Sequence, residues 1–324
     1  MNEGKSSGIR TFLLAAMLLT GLPAVGNAQG GFEDVFIFGD SLSDGGNIYA
    51  LTGETSKAPY ALVPNRPYAI GGHHFSNGKT WAERLAQDLG DNNGGKPSMK
   101  SPGNNGNYAF GGARARSGSG NSSPDSLTQI YMYLGDYGAA SADALYVVQF
   151  GGNDLRDALI AVKVDPITGE LDLSDSFTII QTAVTQLVNN IGMLAGAGAK
   201  HILVANSPNL FHAPAVKLSG AELLGAAFAG HFNAGLAGGL STLQGMDPTL
   251  DIFQLDMGGF TDTVVTSPSS FGLTNVVAPC LSFMGEKDAK CDNPEEYLFW
   301  DGLHPTAAAH DALAAEALAV VYGN

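Results

Sequence analysis

The sequence predicts an α/β fold, a doubly wound parallel sheet with helices on both faces. Short apolar segments alternate with longer helical segments along the chain, which is the pattern of repeated βαβ units. Glycine-containing polar loops follow several apolar segments, where a strand has to end and the chain has to turn. A hydrophobic content of 44% over 324 residues is sufficient for one large core.

The predicted elements follow from local composition and capping signals. The predicted strands are Val35–Phe38, Tyr108–Phe110, Ala144–Phe150, His201–Ala205 and Leu250–Leu255. The predicted helices are Gly78–Leu89, Ser126–Tyr137, Ser174–Leu194, Ser219–Leu243 and Thr306–Val321. The loops at 90–107 and 116–124 are rich in glycine, asparagine and serine, so we expect them at the surface.

The N-terminal residues have the pattern of a secretory signal peptide. Lys5 and Arg10 precede the apolar run 11–19, and Gly26-Asn27-Ala28 is a small-residue cleavage site. We expect residues 1–28 to be removed on export and residues 29–324 to form one domain. A membrane anchor is the alternative, although the run is shorter than the ~20 residues that a spanning helix needs. The mature protein is therefore predicted to be secreted or periplasmic, without stable insertion into a membrane.

The net charge limits the partners that are expected, and the cysteine content indicates how the two thiols are used. The formal net charge of −15 repels polyphosphates, so no nucleic-acid partner is expected. Cys280 and Cys291 are the only cysteines, and export would place them where a disulfide forms. Two free thiols or a metal pair are the alternative, but no neighbouring His or Cys completes a zinc set. The sequence predicts no cofactor and no metal site, and it leaves the oligomeric state and any metal dependence open.

The segment Val35–Asp44 has the most distinctive chemistry. Its apolar strand stops at Gly39 and delivers Asp40 and Ser41 to a sharp turn, where an α/β enzyme exposes a nucleophile. Ser41 has a structural alternative, because a serine after a strand also suits a helix N-cap. The nucleophile interpretation therefore depends on a base elsewhere in the chain.

His304 is the best candidate for that base. Asp301, three residues earlier, is able to accept a hydrogen bond from His304 Nδ1, which leaves Nε2 to face Ser41. Pro305 favours a helix start directly after the histidine. A metal site at Asp301 and His304 is the alternative, but no third ligand lies at a recognisable spacing.

Acyl transfer also needs donors for the developing oxyanion. The candidates are the Ser41 N–H at a predicted helix start, the Gly112 N–H and the Asn153 side-chain amide. Gly111 is a less favoured alternative to Gly112. All of these residues follow predicted strands, at the sheet edge where ligands of open parallel sheets bind.

Two other polar features are predicted to be structural. His73 and His74 are expected to form a solvated loop pair rather than a site. Asp154, after the glycine pair 151–152, is expected to cap a helix.

Four blocks, in chain order, resemble the motifs of the GDSL family of lipolytic enzymes, also called SGNH hydrolases. They are Gly39–Ser43, Asn107–Ala113, Gly151–Asp154 and Asp301–Thr306, and the segment His74–Trp81 is similar to one in bacterial and plant members. The resemblance implies a flavodoxin-like three-layer α/β/α sandwich with a central five-stranded parallel sheet. It also implies Ser41 as nucleophile, Asp301 and His304 as orienter and base, and Gly112 and Asn153 as oxyanion donors.

The expected activity is that of a secreted serine carboxylester hydrolase, an esterase or lipase, acting through an acyl-enzyme on Ser41. The substrate is expected to be a small-molecule or lipid ester of unspecified chain length. An acyltransferase or a polysaccharide O-acetylesterase uses the same triad and is the alternative, and a non-catalytic binding protein on an inactivated scaffold is another. Some relatives carry a C-terminal β-barrel anchor, whereas this chain ends soon after its last predicted helix, so release is expected.

Overall fold

A parallel sheet lies at the centre of the computed structural model, which describes Met1 and residues 31–53, 68, 71–120, 122–281 and 290–323. The strands are β1 (Val35–Gly39), β2 (Leu145–Gln149), β3 (Lys163–Val164), β4 (Leu171–Asp172), β5 (His201–Ala205), β6 (Asp251–Leu255), β7 (Asn275–Pro279) and β8 (Tyr297–Phe299). The helices are α1 (Asn47–Thr52), α2 (Trp81–Asp88), α3 (Ser126–Tyr137), α4 (Gly152–Ile160), α5 (Ser174–Gly196), α6 (Pro214–Leu218), α7 (Glu222–Met246), α8 (Met257–Thr266) and α9 (Ala307–Tyr322). Short 3-10 segments lie at 98–100, 210–212, 268–271 and 294–296.

The central strands run in the order β1-β2-β5-β6, and each neighbouring pair is parallel. Side chains alternate between the two faces along β1, so Phe36 and Phe38 contact one core cluster and Val35 and Ile37 the other. The first cluster is covered by α3, α5 and α7, and the second by α2, α8 and α9. The three-layer α/β/α architecture is therefore confirmed.

The predicted fifth strand, Tyr108–Phe110, is not a regular strand, so the central sheet of the described chain has four strands rather than five. The segment still lies beside β1, because Tyr108 N donates to Ile37 O at 2.7 Å and Phe110 N to Gly39 O at 3.0 Å. Ala109 N, however, donates to the side chain of Asn107. This local bond satisfies the N–H that faces away from β1.

Capping explains where two predicted helices differ from the structure. Helix α2 begins at Trp81 rather than Gly78, because Thr80 and Glu83 form a reciprocal capping box. The predicted helix Ser219–Leu243 corresponds to α7, which begins at Glu222, and the separate short helix α6 ends just before the predicted range. The chain between them turns through Gly220, which has φ 71° and so favours glycine.

The C-terminal part of the chain contains the predicted disulfide. Cys280 and Cys291 are bonded, as the sequence predicts. Just before Cys280, β7 pairs in parallel with β8, which leads directly into Asp301. Among the described helices, none has the length and apolarity needed to cross a bilayer. The predicted leader, residues 1–28, lies outside the described residues apart from Met1.

Candidate active site

Residues 39–44, which we call the serine turn, follow the carboxyl end of β1. Ser43 N and Asp44 N both donate to Asp40 O, at 3.1 and 3.0 Å. Helix α1 begins only at Asn47, so the prediction that Ser41 lies at a helix start is wrong. The reason is that these two hydrogen bonds close a tight turn before any helix begins.

Buried polar side chains hold the serine turn from within. The Asp44 carboxylate accepts hydrogen bonds from Gly46 N at 2.7 Å, Asn47 N at 2.6 Å and Gly111 N at 2.8 Å. Asn107 Nδ2 donates to Ser43 O at 2.8 Å. Since buried backbone groups are costly to leave unpaired, this network fixes the path of the turn.

Two glutamines attach the serine turn to the sheet and to α3. Gln129 brackets Gly39, accepting from its N–H and donating to its carbonyl, both at 2.9 Å. Ser43 Oγ donates to Gln149 Oε1 at 2.9 Å. All of these groups are buried, so the turn has little freedom to move.

The side chain of Ser41 meets His304 although 263 residues separate them. His304 Nε2 lies 2.8 Å from Ser41 Oγ, and His304 Nδ1 lies 2.7 Å from Asp301 Oδ2. An imidazole with its proton on Nδ1 donates to Asp301 and leaves Nε2 to accept the Ser41 hydroxyl proton. The structure therefore brings together all three residues that the sequence selects.

Residues 300–306, which we call the histidine loop, orient the Asp301 carboxylate by folding back on themselves. Asp301 Oδ1 accepts from Leu303 N at 2.8 Å and from His304 N at 2.7 Å. The predicted helix start after Pro305 is displaced slightly, because Thr306 caps α9 by accepting from Ala309 N. The base thus stands directly before a capped helix.

Charge and burial act in opposite directions on the pKa values of His304 and Asp301. Burial disfavours the charged imidazolium, but the Asp301 carboxylate outweighs it and raises the pKa of His304 above its usual value. Burial likewise disfavours the Asp301 carboxylate, but His304 and the backbone N–H groups hold the pKa of Asp301 below its usual value. The neighbouring Asp40 differs, since burial raises its pKa to about 6.

The loop 111–113 and the start of α4 lie beside the serine turn. Gly111 N is committed to Asp44, and Gly112 has a positive φ of 79° that favours glycine. Asn153 Nδ2 donates to Ala113 O at 2.9 Å, which joins this loop to α4. A Cβ added at Gly152 would lie 3.6 Å from Asp40 Oδ2, so the start of α4 faces the serine turn.

Asp154 is not the helix cap that the sequence predicts. It lies fully buried in the first turn of α4, where it accepts from Ala115 N at 2.8 Å and from Arg116 Nη1 at 2.6 Å. Asp157, one turn later, pairs with Arg114 and Arg116. These ion pairs hold the loop after Gly112 against α4, a role that sequence spacing did not reveal.

The prediction of a solvated histidine pair is wrong for His74. Its side chain is buried, contacts Gly71 O through Nδ1, and places Nε2 2.9 Å from Glu83 Oε2. His73, by contrast, stacks on the ring of Tyr49. Glu83 is the partner that the sequence did not identify, because the pairing exists only after α2 has formed.

Residues of the segment 75–81 contact the histidine loop and the first residue of α9. Ser76 Oγ donates to Pro305 O at 2.9 Å, and Asn77 Oδ1 accepts from Ala307 N at 2.7 Å. The ring centroid of Phe75 lies 5.3 Å from that of His304. These contacts join residues that lie more than 200 positions apart in the sequence.

An apolar cavity of about 60 Å³ lies next to Ser41 and His304. Leu42, which follows Ser41, and Leu303 and Pro305, which flank His304, contribute to its lining. Its other apolar walls come from Pro208, Leu210, Ala213, Met257, Phe260, Leu298, Phe299, Ala309 and Leu313. The cavity is smaller than the ~150 Å³ cavity that binds benzene in an engineered protein core.

Residues 35–317 match the family model of the GDSL-like Lipase/Acylhydrolase. The chain belongs to this family. As a member it is a carboxylic ester hydrolase of the esterase and lipase type, which confirms the expected enzyme class.

Several curated relatives are similar over most of the chain. Two GDSL esterase/lipases of Arabidopsis thaliana are 25% and 26% identical, covering 86% and 92% of this chain and 84% and 90% of their own lengths. Lipase 1 of Photorhabdus luminescens is 27% identical over 209 residues, which are 64% of this chain but only 27% of that protein. The chain thus spans about a quarter of this bacterial relative and most of the plant ones.

Proposed function

We propose that this GDSL hydrolase cleaves carboxylic esters through an acyl-enzyme on Ser41. The observation that carries the proposal is the continuous hydrogen-bonded chain from Ser41 Oγ through the imidazole of His304 to Asp301 Oδ2. This arrangement activates a hydroxyl because the base and its orienting carboxylate are already in place.

In the first half-reaction Ser41 Oγ attacks the ester carbonyl carbon while His304 Nε2 takes the hydroxyl proton. The Asp301 carboxylate stabilises the imidazolium that forms. When the tetrahedral intermediate collapses, the bond to the alcohol oxygen breaks and His304 returns the proton to that oxygen. The alcohol leaves, and the acyl group stays on Ser41.

In the second half-reaction a water molecule replaces the alcohol. His304 removes a proton from the water as it attacks the acyl carbon, and then gives the proton to Ser41 Oγ as the acid departs. Both tetrahedral intermediates carry an oxyanion, for which we propose the N–H groups of Ser41 and Gly112 and the amide of Asn153 as donors. Gly111 N already donates to Asp44, which disfavours Gly111 in this role.

We further propose that the apolar cavity beside the pair receives the acyl chain. Its lining includes the immediate neighbours of Ser41 and His304, and its volume of about 60 Å³ suits a short chain. Phe260 and Leu313, from α8 and α9, form part of its wall. The proposed substrates are therefore esters of short aliphatic acids.

We also propose that residues 1–28 direct export and that residues 29–324 act as one secreted or periplasmic domain. The disulfide supports this proposal, because such bonds persist in oxidising compartments. Mass spectrometry of the exported protein should show a chain that begins at Gln29. Retention of residues 1–28 in that protein would contradict the proposal.

The direct test is hydrolysis of p-nitrophenyl esters of graded acyl length by the wild type and by Ser41→Ala. We expect hydrolysis to be fastest with short acyl chains and to be lost in the variant, while its unfolding transition stays unchanged. Ser174→Ala, at an exposed serine on α5, is the matched control and should keep full activity. Substantial activity in Ser41→Ala would rule out the acyl-enzyme, and a preference for long chains would rule out the cavity as the acyl site.

A further inference from the structure

Tyr68 makes a contact with the proposed catalytic machinery that the sequence motifs do not identify. Its hydroxyl donates to Asp301 Oδ2 at 2.8 Å, across 233 positions of the chain. The same oxygen faces His304 Nδ1 at 2.7 Å. Tyr68 and Asp301 are each only 3% exposed, so water does not screen the contact.

The two oxygens of Asp301 have different partners. Oδ1 accepts only main-chain groups, the N–H of Leu303 and the N–H of His304. Oδ2 is shared by two side chains, the imidazole of His304 and the phenol of Tyr68. The phenol therefore acts on the oxygen that orients the base.

Tyr68 is suited to donate and not to accept at this position. Burial, reinforced by the Asp301 carboxylate, raises the pKa of Tyr68, so the phenol keeps its proton throughout the working pH range. A carboxylate has no proton to give, so the hydrogen bond runs in one direction only. Such a bond draws negative charge toward the phenol and away from the imidazole.

The ring of Tyr68 is held by its surroundings. It belongs to a small buried cluster with Trp300, Leu281 and Cys280, so it packs beside the disulfide. Its centroid also lies 6.1 Å from that of Phe75, which in turn contacts His304. These contacts with Trp300, the disulfide region and Phe75 hold the hydroxyl against Asp301.

We propose that Tyr68 is a positioning residue of the ester hydrolase, whose hydroxyl fixes Asp301 Oδ2 and limits how strongly the carboxylate attracts the imidazolium of His304. This inference rests on the proposed function of Ser41 and His304 and adds a fourth side chain to their hydrogen-bonded chain. Without the phenol, the carboxylate holds the proton on His304 more tightly, and the base is neutral only at higher pH.

Asp40, His310 and His74 are further titratable groups in this region. Asp40 also favours the imidazolium, and its own pKa is near 6 because it is buried. Burial, together with His304 and His74, lowers the pKa of His310 to about 3, so this neighbour on α9 stays neutral. His74 is paired with Glu83. Among the described residues these contacts are separate from that of the Tyr68 hydroxyl, whose hydrogen bond to Asp301 is the one that the substitution removes.

The test compares Tyr68→Phe with Tyr297→Phe, which removes a hydroxyl from a residue packed against the same cluster. The pKa of His304 is measured by NMR titration of its ring protons, which does not depend on turnover. The pH dependence of kcat/KM is measured in parallel. In Tyr68→Phe we expect the pKa of His304 and the acidic limb of kcat/KM to rise by about 0.5–1 pH unit, as loss of one charge-assisted hydrogen bond implies.

We also expect kcat of Tyr68→Phe to fall by about tenfold with little change in KM, because the base is less well aimed. Tyr297→Phe should match the wild type in all of these measurements. An unchanged pKa of His304 in a folded Tyr68→Phe would overturn the inference, and so would an equal shift in Tyr297→Phe.

A second substitution keeps the inference testable if Tyr68→Phe folds poorly. Fluorotyrosine at position 68 has a more acidic phenol and donates more strongly, so it should lower the pKa of His304, opposite to phenylalanine. A rise or no change would contradict the inference. If instead the wild type fails to hydrolyse esters, or Ser41→Ala keeps its activity, the proposed function fails, while the titration still decides the role of Tyr68.

Discussion

The serine turn and the histidine loop supply the two halves of one hydrogen-bonded pair, yet they are held in different ways. The serine turn is fixed by buried side chains that bond backbone groups: Asn107 and Gln129 bond the turn itself, and Asp44 accepts from Asn47 N just beyond it. The histidine loop is fixed around the side chain of Asp301, which accepts from the backbone of Leu303 and His304 and from the hydroxyl of Tyr68. The side chains that hold the first region take no part in the proposed chemistry, whereas the carboxylate at the centre of the second region also orients the base.

This difference has a consequence for mutations. Removing a partner of the serine turn leaves several buried backbone N–H groups unpaired, which lowers the free energy of unfolding. Removing a partner of the histidine loop changes how the base is aimed, which affects turnover more than folding. The three substitutions below test this contrast.

The largest effect is expected from Asp301→Asn, on the side of the histidine loop. An asparagine oxygen at Oδ1 still accepts from Leu303 N and His304 N, but its amide presents N–H groups to His304 Nδ1 and favours the wrong tautomer. We expect kcat to fall by about 10³–10⁴-fold with a small change in stability. Asp311→Asn, on the exposed ion pair with Arg84, is the control and should leave kcat unchanged. A fall of less than tenfold in Asp301→Asn would show that the carboxylate does not orient the base.

The next effect is expected from Asp44→Asn, on the side of the serine turn. The introduced amide N–H groups would face N–H donors of Gly46, Asn47 or Gly111 instead of accepting from them. We expect the free energy of unfolding to fall by about 3 kcal/mol, measured by urea denaturation. The control is Asp125→Asn at the partly exposed N-cap of α3, where the loss should stay below about 1 kcal/mol. Equal losses in the two variants would contradict the account of the turn.

The smallest effect is expected from replacing both Cys280 and Cys291 with alanine. Opening an 11-residue separation should cost about 2–3 kcal/mol on the loop-entropy model. Because the disulfide packs beside Trp300 and Tyr68, hydrogen exchange should become faster in the histidine loop than in the serine turn. An equal increase in both regions would show that the two are not held independently.

The sequence predicted the features that depend on local pattern. The apolar segments that form β1, β2, β5 and β6 are visible in the chain itself, and so are the glycines at or just after the ends of β1 and β2. Asp301 and His304 were selected because their spacing allows a contact within one turn. Their approach to Ser41 was expected from the chemistry of a serine nucleophile, which needs a base, and from the resemblance to the GDSL family.

The sequence did not predict the features that depend on a partner elsewhere. The segment 108–110 has the composition of a strand and bonds β1, but the side chain of Asn107 rather than another strand accepts from its outward-facing N–H. His74 is a polar residue in a polar loop until Glu83 reaches it from α2. Tyr68 is a single aromatic residue with no periodic signal, so its contact with Asp301 is visible only in the folded chain.

The central claim is that Ser41 is the nucleophile and His304 its base. The most direct measurement is mass-spectrometric mapping of the adduct formed by a fluorophosphonate, a reagent that phosphonylates activated serines. We expect one adduct, on the peptide that contains Ser41, and expect it to be absent from Ser41→Ala and strongly slowed in His304→Ala. An adduct on another residue, or equally fast labelling without His304, would contradict the account.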